Sequence, residues 1–478
     1  MSSLTSRSTV LALARLLNYA VLLLSPLFLV RMLDVKSYGM YREFVLYSLV
    51  AARIMISGIP PNLLYFLPKD PAKESAYVVN TFIFTFITTS AGIVLILLSR
   101  NWLVGRVSFD FINLMVCYIF LFVNLDFIES YWLAKKRSDY VFAYSTTLPI
   151  LRMGIVISAA YISHDVGTII VSMVLFEGIK FIGLILWWYR RLGLSVLFDR
   201  NAAIQQLRFI IPLGSGVLLA TLNQQFGSLF VANIFGPVAL AIYTIGLYQI
   251  PVISIVRSAI SDVIFPEMVK KNQNTPEAAL SLWRRANNIF CFVVFPVFAV
   301  FWVYAQDFIT LLFTKDYEAA VPIFQVMLIL MLLQCFEFGT PLRSRNQNRY
   351  FLRGNMLAIV ANIVITVALY NQLGIVAPAV AFLFSELVKS VYLAYIIAIV
   401  YSCRISGLFM WRNIFRIGMA SVAGVPLLLI GVYLNTVLAT TLAIVGYGVI
   451  YYALIRYLHI EEVELIIRKF SRKVGWKV

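Results

Sequence analysis

Two histidines and four cysteines are all that this 478-residue chain contains of those residue types, and the scarcity excludes several kinds of chemistry. His164 and His459 are far apart in sequence and lie outside the apolar centres, so neither a His-based metal centre nor a hydrolytic triad is supported. Cys117, Cys291, Cys335 and Cys403 sit in or beside apolar runs without a CxxC spacing, which gives neither a disulfide framework nor a metal site. Charge is scarce as well: 13% of residues are Asp, Glu, Lys or Arg, where soluble domains carry about 25%. No connection between apolar runs is long enough to form a domain of its own. The expectation is a chain that is not an enzyme and has no cofactor and no metal.

What the chain does have is apolar length. It is 61% hydrophobic, with a mean hydropathy of +0.88, and runs of about 20 apolar residues recur throughout, the pattern of a polytopic α-helical membrane protein. The first run is too long for a signal-peptide core and lacks a small-residue cleavage site after it, so it is expected to stay as helix 1. The windows predict about fourteen transmembrane helices, near residues 8–30, 38–60, 77–98, 110–134, 141–162, 167–189, 207–232, 239–265, 286–306, 322–342, 352–371, 374–400, 413–434 and 436–457.

The connections sort by charge. One side carries Arg7, Lys69, Lys73, Lys135 to Arg137, Arg190, Arg191, Arg200, Arg208, Lys270, Lys271, Arg284, Arg285, Arg343, Arg345, Arg349, Arg353, Arg404, Arg412, Arg416 and the tail RKFSRK. The other side carries only Arg31, Lys36, Arg42, Arg100, Arg106 and Lys315. The rich side reads as cytoplasmic, which places both termini inside. The net charge of +17 is then explained by topology and membrane lipids, the basic tail fits headgroups, and no nucleic-acid partner is needed.

The chain reads as built twice. Glu129 and Glu337 stand 208 residues apart, as do Lys135 and Arg343, and Arg137 and Arg345. Glu177 and Lys180 answer Glu386 and Lys389 at 209, Tyr41 answers Tyr243 at 202, and Pro68 answers Pro266 at 198. Six helices separate the members of each pair, an even number, so the halves enter the membrane in the same direction, a parallel repeat. The expected domains are an N-lobe of helices 1–6 (1–200), a C-lobe of helices 7–12 (201–404), and two extra C-terminal helices with a basic tail (405–478). Glu177/Lys180 and Glu386/Lys389 are i, i+3 pairs that can neutralise each other as structural pairs on one helix face.

With that organisation in view, three segments carry a resemblance: RMLDVKSYGMYREF with SGIPPNLLYFLPKD, then LRFIIPLGSGVLLATLNQQFGSLFVANIFGPVALAIYTIGLYQIPVISIVRSAISDVIFPEM, then LLFTKDYEAAVPIFQVMLIL. In order and spacing the chain resembles the polysaccharide branch of the multidrug/oligosaccharidyl-lipid/polysaccharide (MOP) exporter superfamily. The resemblance implies two six-helix lobes in a V around a central cavity. It also implies a flippase that moves an undecaprenyl-pyrophosphate-linked oligosaccharide (an O-antigen, capsule or exopolysaccharide repeat unit) across a bacterial cytoplasmic membrane by alternating access. Its partners would be the lipid-linked substrate, membrane lipids, and the polymerase and chain-length proteins of a glycan assembly pathway.

Arginines at membrane depth suit that implication. Arg15, Arg53, Arg257 and Arg152 lie about seven to eleven residues inside the cytoplasmic ends of their spans, roughly 10–17 Å at helical rise. An arginine there is costly and usually faces a bundle interior or water-filled cavity. A pyrophosphate suits these four, because the planar guanidinium grips phosphate oxygens bidentately and keeps its charge when desolvated. The lipid II flippases, another branch of the superfamily, carry functional arginines on helices 1, 2 and 8, which here hold Arg15, Arg53 and Arg257. The competing reading pairs each arginine with a carboxylate such as Asp126 or lets it snorkel to headgroups. Acidic residues near the layer are Asp126, Glu129 and Asp262. Asp126 is the strongest candidate for ion coupling, and Glu129 and Glu337 read as gate or folding residues.

Three other readings compete, and one of them, a membrane scaffold without transport, has no need of buried arginines in a common layer. A drug/cation antiporter of the same superfamily would have twelve helices and an acidic cavity, against fourteen and a basic layer here. A membrane glycan polymerase or ligase would carry its catalytic residues on large outward loops, and the outward loops here are short.

Overall fold

A computed structural model describes residues 24–99, 111–192 and 198–459, which are helical with no strand among them. They divide into two compact units, Met1–Thr244 and Ile245–Val478. In the first unit the helices are α1 (24–32), α2 (Val35–Met55), α3 (Pro61–Lys69), α4 (Glu74–Leu98), α5 (Ile112–Val123), α6 (Ile128–Ala134), α7 (Ser138–Ser163), α8 (Val166–Leu192) and most of α9 (Arg200–Gly246). The second unit holds α10 (Pro251–Asn274), α11 (Pro276–Val303), α12 (Ala305–Phe313), α13 (Val321–Leu333), α14 (Gly339–Ser344), α15 (Asn348–Leu373) and α16 (Ala377–Val400). It ends with α17 (Trp411–Ala423), α18 (Val425–Leu434) and α19 (Val437–Tyr457).

Local chemistry sets many of the ends. Pro61, Pro251 and Pro276 open α3, α10 and α11 at the first helical position, where a missing N–H costs nothing. Asp34 and Thr436 cap α2 and α19 through their side chains. Asp199 opens α9 by accepting from Asn201 N (2.8 Å) and Ala202 N (3.1 Å). The backbone bond from Ala202 leads the influences that hold its carboxyl below the ordinary range, and Lys73 adds to them.

Ten segments among the described residues are long and apolar enough to cross a membrane, where the hydropathy windows predict fourteen. Four features separate the numbers. Helix 1 is described only from residue 24, and α2 is interrupted by Arg42, Glu43 and Arg53. Residues 200–246 form one long segment that takes in the window 207–232 and the start of 239–265, and residues 349–400 form another where the windows place two spans. The first of these bends at Gly236, whose φ of 80° and ψ of −173° are not helical. Apolar side chains such as Ile179, Leu311, Tyr433 and Val437 point outward, as lipid requires and water would penalise.

The domain boundary expected at 200/201 differs from the division at 244/245, because α9 is bound into the first unit. Gln206 Nε2 donates to Asn62 Oδ1 (2.7 Å), Tyr77 O (3.1 Å) and Thr81 Oγ1 (3.2 Å), all buried. The C-terminal helices join the second unit: Ser421 Oγ donates to Phe295 O (3.0 Å), Tyr304 OH to Leu428 O (2.9 Å) and Tyr451 OH to Phe292 O (2.7 Å).

The duplication is visible in backbone geometry, at a register slightly different from that of the charged pairs. Lys136 (φ 57°) and Asn346 (φ 56°) have positive φ at one turn, and His164 (φ 50°, ψ 18°) and Gly374 (φ 54°, ψ −130°) share the sign of φ though not ψ at the next. Arg137 N donates to Trp132 O at 2.9 Å as Gln347 N donates to Leu342 O at 2.8 Å. Each match is offset by 210, and the helices between them, α7 and α15, both have 26 residues. The 208 register therefore slips by two residues, which sets Glu129 opposite Gly339 and Glu337 opposite Phe127. Upstream, Asp70 (φ −140°, ψ 83°) matches Thr275 (φ −141°, ψ 83°), each followed by proline. That offset of 205 separates Pro68 from Pro266.

The break between α2 and α3 depends on one glycine. Gly58 has φ +75°, and a Cβ there would stand 2.6 Å from both Gly214 N and Ile210 O. These are backbone atoms of a packed helix and cannot swing aside. Gly58→Ala is expected to cost about 2 kcal/mol or more, from left-handed strain plus the clash. Gly216→Ala, with open space at its Cβ, should be neutral or slightly stabilising. Melting temperatures of the two purified variants in detergent check the contrast.

Candidate functional site

In the first unit one cluster of charged side chains is buried between helices, and Arg53 stands apart from it. Arg152 on α7 and Lys180 on α8 both form ion pairs with Glu177, whose side chain has no exposed surface. The Arg152 guanidinium also lies 5.4 Å from the Phe122 ring centre and 6.0 Å from that of Phe176. Asp126, in the turn between α5 and α6, is electrostatically coupled to Lys180, Glu177 and Arg152. Two cations and two carboxylates thus balance within a buried cluster, as low-dielectric surroundings demand. Arg152 stands here as half of a clamp on Glu177. Glu129 lies half-buried in the first turn of α6.

Arg53 differs. It lies in the last turn of α2, exposed, beside the break at 56–60, and its guanidinium has no ion pair or hydrogen bond among the described residues. Its backbone carbonyl accepts from Ser57 Oγ at 2.6 Å. A cation at a helix C-terminus is favoured by the macrodipole, which keeps it there without a carboxylate partner. Arg15 lies outside the described residues, as does the side chain of Asp262.

In the second unit Arg257, on α10, lines a narrow cleft of about 20 Å³ with Trp283, Asn287, Phe290, Cys335, Glu337 and Thr340. One guanidinium nitrogen donates to Gln334 Oε1, and the Phe290 ring centre lies 5.8 Å from the group. The buried Nε has no partner among the described residues, and neither does Nδ2 of Asn287, itself 4% exposed. Two orphaned donors therefore belong to one cleft, and a buried donor without an acceptor costs about 1–3 kcal/mol. The chemistry that satisfies both is an oxygen-rich acceptor.

Glu337 borders the cleft but is committed elsewhere. Its carboxylate accepts from Gly339 N (3.1 Å) and Thr340 N (2.8 Å) and pairs with Arg343 (3.2 Å), so it caps α14. Its backbone carbonyl accepts from Trp283 Nε1 at 2.8 Å. Glu386 and Lys389 pair on α16 at 2.6 Å. All four cysteines are free thiols, and no group of three or more potential metal ligands occurs among the described residues.

The structure thus brings Arg257 and Glu337 to one cleft and Arg152, Asp126, Glu177 and Lys180 to one cluster, and leaves Arg53 apart. Sequence reasoning missed Asn287 and Gln334. The signal for the first was a paired asparagine, Asn287-Asn288, inside an otherwise apolar window. It also missed Glu43 on α2, whose neighbour Arg42 reads as part of an outward connection.

Comparison with known proteins places this geometry in a family. The sequence profile described as "Polysaccharide biosynthesis protein" matches residues 28–322. No curated protein matches by sequence. By structure the chain is similar to the lipid II flippase MurJ in an inward closed conformation, with TM-score 0.69 and 10% identity over 95% of this chain and 99% of that one. It is similar to an inward-facing multidrug resistance MATE transporter of the MOP superfamily, with TM-score 0.57 and 12% identity over 82% of this chain and 95% of that one. A MOP superfamily transporter from Pyrococcus furiosus matches at TM-score 0.53 and 13% identity, over 84% and 96% of the two chains. The chain accordingly belongs to the polysaccharide biosynthesis protein family and has the fold of MOP-superfamily transporters.

Proposed function

We propose that this protein is a flippase that moves an undecaprenyl-pyrophosphate-linked oligosaccharide from the inner to the outer leaflet of a bacterial cytoplasmic membrane by alternating access. The observation that carries the reading is the pair of orphaned donors, Arg257 Nε and Asn287 Nδ2, in one cleft. Pyrophosphate and sugar oxygens are acceptors in abundance, and guanidinium binds them without losing charge. A cationic drug would present donors to donors, which disfavours antiport of that cargo at this cleft. Arg53 supplies a second site of positive charge, and Arg15 completes the set from helix 1. Arg152, Glu177, Lys180 and Asp126 hold the first unit together, Glu129 and Glu337 serve at a gate, and Asp262 stands near the same layer. The charge asymmetry of the loops supports a cytoplasmic position for both termini. The partners are the polymerase and chain-length proteins that consume the flipped unit.

The experiment is an exchange at Arg53. Arg53→Ala is expected to lower surface glycan severalfold at unchanged protein level in the membrane, because the guanidinium supports no packing partner. Arg53→Lys keeps the charge but loses the bidentate fork. Full export by the lysine variant would mean that the position needs only positive potential, and normal export by the alanine variant would remove Arg53 from the substrate path.

A further inference from the structure

Glu43 is 1% exposed on α2, and its Oε1 has no hydrogen-bond partner among the described residues. Residues 39, 43 and 47 recur every four positions and so share one helix face. At one end of that face the space of the missing Gly39 side chain is taken by the Pro237 carbonyl. At the other end Tyr47 lies near Asn233. Glu43 therefore lies between them, opposite the stretch 233–237 in which Gly236 splits α9.

Among the described residues no side chain bonds to Glu43 Oε1, although Arg152 on α7 acts on Tyr41 of α2. Helix α4 carries only Glu74, at its start, and α5 carries no charged residue. On α8, Glu177 and Lys180 pair with each other, and Arg190 and Arg191 lie at the far end. On α9 the charges are Arg200 and Arg208, in its first turns. Arg42, on α2 itself, acts on Tyr38 and Tyr41. A titratable group facing Glu43 is Tyr47, and no ion pair joins the carboxyl to a cation among the described residues. An ionised carboxylate in such a place would be a buried, uncompensated charge, whereas the neutral acid costs far less.

We propose that Glu43 is a proton-binding site: its carboxylate takes a proton from water as α2 seats against the bend at Gly236, and returns it to water when the two part. The inference rests on the transporter reading only for its use. Closure of this face would be coupled to uptake of one proton, whatever the cargo.

The test is an infrared difference titration of the full chain in liposomes, on wild type, Glu43→Gln and an Asp126→Asn control. A carboxylic-acid carbonyl band present in wild type and in the control is expected to vanish in Glu43→Gln. Glutamine mimics the neutral acid, so that variant should accumulate in the membrane at wild-type level, and its glycan export should lose dependence on external pH. Persistence of the band in Glu43→Gln would overturn the proposal, as would failure of that variant to accumulate, since the packing would then not be holding the neutral form. The infrared result needs no assumption about cargo, so it stands or falls separately from the flippase reading.

Discussion

Replacing Asn287 with alanine is expected to cut glycan export by an order of magnitude or more while leaving the folded protein as stable as before, or slightly more stable. The expectation turns on an asymmetry in hydrogen-bond energetics. A buried donor that already lacks a partner carries its desolvation cost in the folded state, so deleting it returns about 1–3 kcal/mol, set against lost packing. Asn287 Nδ2 is such a donor, in the cleft that Arg257 lines. If cargo oxygens satisfy it during transport, removal lowers the affinity of the loaded state and spares the empty one. Arg257→Ala should act in the same direction with a larger loss of export, since a charge-assisted contact is about twice as strong as a neutral one. It also frees Gln334 Oε1 from its donor, so a modest fall in stability accompanies it. Export is read as surface polysaccharide and stability as melting temperature in detergent. A variant at 287 that exports normally, or one whose export falls only in step with its protein level, would reduce the cleft to a packing defect.

The apolar lengths that make the helices were legible in sequence because hydropathy accumulates over about 20 residues and is robust to single substitutions. The breaks were not. Gly236, the turn at 56–60 and the turn at 124–127 each involve a few residues within a window that averages them away. The internal repeat was legible from charged residues, but its register was not: a loop charge can shift by two residues at little cost, whereas the left-handed turns at Lys136 and Asn346 cannot. Cross-helix pairing lay further out of reach. Arg152 and Glu177 are 25 positions apart and Arg257 and Gln334 are 77 apart. Whether such residues meet depends on the rotation of each helix about its axis, which depth alone does not determine. A layer of four arginines could thus be counted from the sequence, while the difference between a paired Arg152 and an unpaired Arg53 required coordinates.

That difference sets the second large effect, at Glu177. Glu177→Ala is expected to remove most of the folded protein from the membrane, at a cost of about 3–5 kcal/mol. Its carboxylate is fully buried and holds two cations at once, Arg152 and the 6%-exposed Lys180. Without it, Asp126 alone would face both. Lys180 could lose its proton, but Arg152 could not, because a guanidinium keeps its charge throughout the accessible range. Arg152 would then lose its direct ion-pair partner and keep only the more distant Asp126, and Lys180 would be held buried without a carboxylate of its own. The diagnostic variant is the double replacement Glu177→Leu with Arg152→Leu, which removes one charge of each sign and leaves Lys180 with Asp126. If the cluster serves folding, the double variant should recover much of the protein level lost by Glu177→Ala and much of the export as well. Recovery of protein without export would instead return Arg152 to the substrate path. Equal loss in the single and double variants would show that the two residues are not coupled, and the balanced cluster would no longer explain why an arginine is held at that depth on α7.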